Sequence, residues 1–162
     1  MTTTLSRSIL FVASLALALA APAAAAPPDF SGHWKLNVEK SKLDDPYIGL
    51  AEERTIDHKD PQLVVNVKDV QDGEEDSTTA KYTTDGKETR NTVDGDPNFT
   101  TAHWDGQILI VETKIISDTD TTDLSDHWTV SADGKVLTIA RKMKVGFDER
   151  EFVFVFDRIA QS

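Results

Sequence analysis

The chain of 162 residues contains no cysteine, and it has only 17 Lys and Arg residues against 28 Asp and Glu residues. Without cysteine there is no disulfide framework, no thiolate nucleophile and no cysteine-ligated metal centre. The formal net charge of -11 argues against a nucleic-acid partner and against docking on anionic lipid, because both need a surplus of basic groups. The length suits one domain.

The common short motifs of enzymes are also missing. There is no Gly-x-Ser-x-Gly elbow, no His-Glu-x-x-His motif, no phosphate-binding glycine loop and no dinucleotide fingerprint. The histidines form no His-x-His or His-x-x-x-His pair, and three of them directly precede tryptophans, at His33-Trp34, His103-Trp104 and His127-Trp128. On strands, inward tryptophans would turn these histidines outward. We therefore expect no catalysis, no cofactor and no metal site, although one reversed pair would favour a metal or haem.

Residues 1–25 have the composition of a bacterial export signal. Arg7 supplies a positive start, residues 9–20 form an apolar run too short to span a bilayer, and small residues continue up to Pro27. We predict cleavage after Ala25, which leaves residues 26–162 as the mature domain in the periplasm or the medium. With no cysteine near the cut, no lipid membrane anchor is expected. The alternative is a buried N-terminal helix.

Tight-turn signals punctuate the remaining chain. Five of the eight glycines follow an aspartate, and Asp-Gly is favoured in hairpin turns because both residues tolerate a positive φ. The intervening segments are rich in β-branched and aromatic residues, and several alternate with period two, as in Leu63, Val65 and Val67. The pattern predicts ten strands at 30–36, 52–58, 62–69, 75–83, 88–93, 98–104, 107–115, 122–130, 136–143 and 150–158.

Strands joined by tight turns pair antiparallel, so the predicted fold is an all-β up-and-down meander. Closing the meander into a barrel of about 8–10 strands removes its exposed edges. A β-sandwich is the alternative, but it needs longer crossover connections. One short helix is predicted after the first strand, over Val38–Leu43, with Asn37 placed to cap its first turn.

The last predicted strand is apolar on both faces over Phe152–Phe156. A strand that is wet on one side should alternate, so its outer side needs a cover. A partner subunit, which allows a homodimer, or the N-terminal tail would supply one. Dense packing of an ordinary core strand is the simpler alternative.

The mature N-terminus reads Phe-Ser-Gly-His-Trp-Lys-Leu-Asn over residues 30–37 and continues to Lys40-Ser41-Lys42. It resembles the Gly-x-Trp opening of the lipocalin and fatty-acid-binding (calycin) superfamily, and most closely that of secreted bacterial proteins with lipocalin-like domains. Two later hairpins, at 82–87 and 104–106, are similar to hairpins of those families. The resemblance implies a β-barrel that binds small apolar molecules.

The resemblance also implies roles for two residues. Trp34 would plug one end of the barrel, and Arg158 would lie across its ring as a cation–π latch worth about 1–2 kcal/mol. Intracellular fatty-acid binders end in Arg-x-Tyr, which clamps a ligand carboxylate. Here the corresponding residues are Arg158-Ile159-Ala160, so the tyrosine of that clamp is missing.

Arg141 shares a predicted strand face with apolar residues, among them Leu137 and Ile139. A buried guanidinium needs a partner. It would hold an anionic head group, pair with an Asp or Glu of a neighbouring strand, or extend to the barrel rim. The residues expected to contact a ligand are Arg141, Trp104, Trp128, Tyr82 and Ile139.

The leading hypothesis is an exported, non-enzymatic protein that binds a small apolar or amphipathic molecule inside a lipocalin-like barrel. Such a binder should contain a cavity of about 300 Å³ or more. The alternative is a packed barrel that acts through its surface as an envelope interaction or inhibitor protein. A barrel-based enzyme is a third hypothesis.

Overall fold

The computed structural model describes residues 26–43, 52–71, 74–93 and 95–160, so the predicted export signal lies outside the described residues. All ten predicted strands are confirmed, with ends that agree within two residues. They are β1 (Gly32–Leu36), β2 (Glu52–Lys59), β3 (Gln62–Gln71), β4 (Glu74–Thr83), β5 (Thr89–Val93), β6 (Asp96–Asp105), β7 (Ile108–Ile116), β8 (Thr121–Val130), β9 (Val136–Val145) and β10 (Asp148–Ile159).

The strands form one antiparallel sheet in the order β4-β3-β2-β1-β10-β9-β8-β7-β6-β5. Neighbouring strands in the sheet are consecutive along the chain, with the exception of β1 and β10. β1 pairs with β2 on one side and with β10 on the other. Trp34 is thereby the register partner of Arg54 on one side and Arg158 on the other. This junction of the first and last strands curls the meander into a barrel and excludes the two-layer sandwich.

The barrel is nearly closed between β4 and β5, where side chains replace a continuous backbone ladder. The Asn91 side chain accepts a hydrogen bond from Lys81 N (2.9 Å) and donates one to Lys81 O (3.0 Å). In the loop between β4 and β5, Gly86 N donates to Ala102 O (2.8 Å), beside an isolated bridge between Asp85 and His103. Gly86 has a φ of +79°, as its Asp-Gly turn requires.

The described residues contain no helix, so the helix predicted over Val38–Leu43 is not found there. Residues 38–40 form a turn, in which Asn37 Oδ1 accepts from Lys40 N at 3.1 Å as expected of a cap. The chain then pairs with β10, because Lys42 and Val153 exchange backbone hydrogen bonds of 2.8 and 3.0 Å. A backbone bound to a neighbouring strand in this way cannot continue a helical ladder. Residues 44–51 lie outside the described residues.

Alternation along the strands separates an inward from an outward set of side chains. On β10 the three phenylalanines Phe152, Phe154 and Phe156 are buried, whereas Val153 and Val155 face outward and are half-buried. We call the end where β1 begins and β10 ends the plugged end. The opposite end, with the turns at 117–120 and 146–147, is the open end.

In the described part of the chain, no helix has the length and apolar character needed to cross a bilayer.

Candidate functional site

The plugged end is filled by two aromatic side chains. Trp34 and Phe30 are completely buried, and the indole Nε1 of Trp34 donates to Phe30 O at 2.9 Å. The Phe30 ring stacks on Trp104, with centroids 5.8 Å apart, and meets Trp128 edge-on at 5.9 Å. The segment before β1 therefore closes this end of the barrel.

Arg158 lies over the plug. Its guanidinium carbon is 4.2 Å from the centre of the Trp34 ring, and its Nη1 donates to Ser31 O at 2.8 Å. Gly32 makes this approach possible, because a Cβ there would lie 2.2 Å from Arg158 Nη1. The two residues named for a latch are thus in contact, and the glycine of the Gly-x-Trp motif provides the space.

Beside the plug lies His58, which is buried and which the sequence analysis did not single out. Phe30 N donates to its Nδ1 at 3.3 Å, and its Nε2 lies 3.9 Å from Asp60 Oδ1. Asp60 accepts hydrogen bonds from Thr84 Oγ1 (2.5 Å) and Trp104 Nε1 (3.0 Å). These two donors, Thr84 first, lower the pKa of Asp60 below its ordinary value. The network ties the N-terminal segment to β2 and β6.

Arg141 points into the barrel and is already paired. Its Nε and Nη2 donate to the two carboxylate oxygens of Asp126 at 2.8 and 2.7 Å, a bidentate contact between neighbouring strands β9 and β8. Burial opposes the charged guanidinium, but the Asp126 carboxylate outweighs it and raises the pKa of Arg141. Of the three roles left open for Arg141, pairing with a neighbouring acid is the one observed.

A second ion pair lies on the inward face of β2. Arg54 Nε donates to Glu52 Oε1, and both side chains are largely buried. Tyr82 of β4 faces the same interior, because it is the register partner of the buried Leu63 on β3. Arg54, Arg141 and Asp126 are close enough to interact with it electrostatically. We call these five side chains the interior polar cluster: Glu52, Arg54, Tyr82, Asp126 and Arg141.

The five residues expected to contact a ligand all belong to the inward set, but they occupy different depths. Trp128 and Ile139 are buried in the core, and Tyr82 packs against it. Trp104 is half-buried near the plugged end, where Asp60 holds its indole nitrogen. Arg141 and Tyr82 therefore belong to the interior polar cluster, whereas Trp104 is hydrogen-bonded to Asp60.

The inward side chains nearer the open end pack less completely. Val67, Thr113, Leu124 and Met143 are half-buried, whereas most inward residues of the plugged end, such as Leu63, Leu109 and Leu137, are completely inaccessible. Leu124 and Met143 are register partners on β8 and β9, directly beyond the pair formed by Asp126 and Arg141. An apolar lining thus adjoins the polar cluster on its open side.

A cavity of about 600 Å³ lies mainly on the outer face of β6–β10, toward the open end. None of the five expected ligand-contacting residues lines it, whereas Thr113, Leu124 and Met143 of the inward set do. Three ion pairs cross its floor: Lys114–Asp123 (3.6 Å), Lys142–Glu151 (3.1 Å) and Lys144–Glu149 (4.0 Å). Most of the outward side chains that line the cavity are polar or charged, and Phe99 is apolar. The guanidinium carbon of Arg90 lies 4.5 Å from the centre of the Phe99 ring.

His33, His103 and His127 belong to the outward set, opposite their tryptophans, and His103 and His127 are exposed. Within residues 26–43, 52–71, 74–93 and 95–160, no three His, Asp or Glu side chains are grouped in a way that could hold a metal ion.

No protein-family model matches the chain, and no curated protein matches its sequence. Solved structures do match. A secretory abundant heat soluble protein from Ramazzottius varieornatus, solved from a dimer sample, superposes with a TM-score of 0.54 at 13% identity, covering 80% of this chain and 94% of that one. The fold is that of a calycin β-barrel.

Two further calycin structures agree. Secretory abundant heat soluble protein 4 from Ramazzottius varieornatus gives a TM-score of 0.51 at 16% identity, over 81% of this chain and 95% of that one. A Schistosoma mansoni fatty-acid-binding protein in complex with arachidonic acid gives 0.50 at 16% identity, over 81% and 96%. At these identities the likeness concerns the fold alone, and the fold is the one that the resemblance of the Gly-x-Trp opening implied.

Proposed function

We propose that this chain is a non-enzymatic binding protein that holds a small apolar or amphipathic molecule in the open half of its barrel. The observation that carries the proposal is the interior polar cluster, bordered on its open side by half-buried Leu124 and Met143. Polar groups beside incompletely packed apolar walls match both parts of an amphipathic molecule. The fold, shared with a protein solved with a bound fatty acid, supports the proposal.

Within this proposal, Arg141 and Tyr82 orient the polar end of the ligand, and Trp128 and Ile139 form the deep apolar wall. Trp104 reports on binding through its indole, which stacks on Phe30. Trp34 and Arg158 form a latch that keeps the plugged end shut while the open end exchanges ligand. No covalent step is required of any of these residues.

The outer cavity on β6–β10 favours a second candidate function, in which the barrel is packed and acts through its surface. Its volume of about 600 Å³ would admit a peptide side chain or loop. Its paired charges, however, are satisfied by one another, and such exposed pairs contribute little binding energy. We therefore place the surface function second.

Residues on opposite faces of the sheet separate the two functions, because Val67 faces inward and does not line the outer cavity, whereas Ser125 faces outward and lines it. The experiment titrates wild type, Val67→Lys and Ser125→Lys with a naphthalene-sulfonate or fatty-acid probe, following tryptophan emission and melting temperature. Interior binding predicts that Val67→Lys weakens the probe at least about tenfold, since a buried ammonium is costly, while Ser125→Lys binds like wild type.

The opposite ranking, with Ser125→Lys the weaker binder, would move the site to the outer cavity. A probe that changes neither the emission nor the melting temperature of wild type would refute the binding function.

We further propose that residues 1–25 are an export signal and that the mature chain works outside the cytoplasm. The support is the short apolar run after Arg7 and the small residues before Pro27. The intact mass of protein recovered from the periplasm or medium should correspond to a chain that begins at Ala26. Native mass spectrometry of the same material would reveal a homodimer and any ligand that travels with the protein.

A further inference from the structure

The two ion pairs inside the barrel are seated against aromatic rings. The guanidinium carbon of Arg54 lies 4.8 Å from the centre of the Phe156 ring and 5.8 Å from that of Trp128. The guanidinium carbon of Arg141 lies 5.3 Å from the centre of Phe154. Each cation therefore contacts a ring face as well as its carboxylate, and both contacts fix its position.

The charges of this group sum to zero, since each guanidinium has its own carboxylate. Asp126 binds Arg141 with both oxygens, and Glu52 binds Nε of Arg54. The exposed fractions of the side chains are 6% for Asp126, 7% for Arg54, 12% for Glu52 and 24% for Arg141. At this burial the pairs are poorly screened by solvent, so each carboxylate neutralises its partner.

An anionic ligand placed beside these pairs would lack a partner for its charge. It could reach the remaining N–H groups of Arg141, but Asp126 already neutralises that guanidinium, so the charge of a second buried carboxylate would stay uncompensated. An uncharged head group has no such cost and needs only a hydrogen bond. Asp126 engages only Nε and Nη2 of Arg141, and Nη1 of the same guanidinium carries further N–H donors for such a bond.

Building on the proposed function, we infer that the barrel selects an uncharged amphipathic ligand, of the class of a long-chain alcohol, over the carboxylate of the same chain length. The alcohol oxygen accepts a hydrogen bond from Arg141 in the interior polar cluster, and its chain extends along Leu124 and Met143 on the open side. Burial raises the pKa of Tyr82, so the phenol of the cluster stays protonated and adds no negative charge.

The test compares dodecan-1-ol with lauric acid, which have equal chain lengths and differ in charge, by calorimetry on the wild-type mature chain at neutral pH. The alcohol should bind at least about tenfold more tightly, because the acid brings an uncompensated charge. Equal or tighter binding of lauric acid would overturn this inference while the proposed function stands. Binding of neither ligand would overturn both.

A substitution at Asp126 tests whether the neutralised guanidinium causes the preference for the alcohol. Asp126→Asn removes the charge that neutralises Arg141, so lauric acid should bind about tenfold more tightly than to wild type while dodecan-1-ol changes little. Asp123→Asn is the matched control, since Asp123 lies on the same strand and faces outward. Glu52→Gln releases Arg54 in the same way, and circular dichroism verifies that each variant is folded.

An alcohol-to-acid affinity ratio that stays at its wild-type value in the folded Asp126→Asn and Glu52→Gln proteins would overturn the inference. If neither variant folds, the wild-type comparison decides alone.

Discussion

The two ends of the barrel differ in packing although the same ten strands build both. At the plugged end the inward residues Trp34, Leu63, Leu109, Leu137 and Phe156 are completely inaccessible to solvent. Toward the open end the inward residues Leu124 and Met143 are half-buried, and the side chain of Phe147 is fully exposed.

The difference shows that the two ends of one barrel can serve stability and ligand binding separately. The plugged end gains its stability from close packing and from the segment before β1, whose Phe30 side chain closes the barrel there. Among the described residues no such side chain closes the open end, and the apolar side chains there are less completely buried. Dense packing leaves no room for a ligand, so a binding site in this barrel has to lie on the open side of the interior polar cluster.

The largest effect should come from cavity mutations at the plugged end. Leu137→Ala should lower the free energy of unfolding by about 3 kcal/mol, whereas Leu124→Ala should lower it by about 1 kcal/mol, because Leu124 is already partly solvated. Urea denaturation of both variants measures the difference. Equal losses would mean that the two ends are packed alike, and the comparison would fail.

The next effect tests the latch. Replacing Arg158 by Ala should cost about 1 kcal/mol, since the variant loses the ring contact with Trp34 and the hydrogen bond to Ser31 O. Arg90→Ala is the control, because Arg90 makes a similar contact with Phe99 on the outer face. If the two variants unfold at the same urea concentration, Arg158 has no special role at the plugged end.

A smaller, pH-dependent effect should arise at Asp60. Its folded pKa lies below the ordinary value of 3.8, held there by Thr84 first and Trp104 second. The ionised carboxylate therefore stabilises the fold above about pH 3.8, and this contribution disappears as the pH falls through the folded pKa.

Asp60→Asn should accordingly melt below wild type at neutral pH, with the difference shrinking in acid. Thr84→Val, which removes the main donor, should reproduce part of this pH dependence. A melting-temperature difference that stays constant from neutral pH to about pH 2 would contradict the assignment.

The smallest effect is expected at the rim of the open end. Phe147 is fully exposed in the turn between β9 and β10, so Phe147→Ser should change the free energy of unfolding by less than about 0.5 kcal/mol. A larger loss in urea denaturation would show that this side chain is covered in solution and that the open end is more closed than described.

Sequence patterns predicted the strands well because turns and alternation are local signals. The Asp-Gly pairs and the runs of β-branched residues placed all ten strands, and the last strand supplied Arg158 opposite Trp34. The helix over Val38–Leu43 failed for a tertiary reason, since Lys42 pairs with Val153, which is distant in sequence. Local capping signals at Asn37 cannot reveal that competing partner.

The interior polar cluster marks the limit of prediction from sequence. Alternation placed Arg141 inward, but the pattern did not identify which acidic residue of a neighbouring strand pairs with it; the register between β8 and β9 makes that residue Asp126. Arg54 and Glu52 lie two residues apart, a spacing that puts both on one face of a strand, and this signal could have identified them. His58 lies on the same strand face as Arg54 and Ile56, at the same spacing of two residues, and could have been identified in the same way.

By itself, the sequence determined an all-β meander, the position of each strand and the face to which each side chain belongs. These follow from backbone propensity and from a period of two, which are properties of neighbouring residues. Only the tertiary structure decided that Asp126 neutralises Arg141 and that β1 joins β10, because pairing depends on the register between strands. That register is set by every turn together and by the closure of the barrel, not by any one segment.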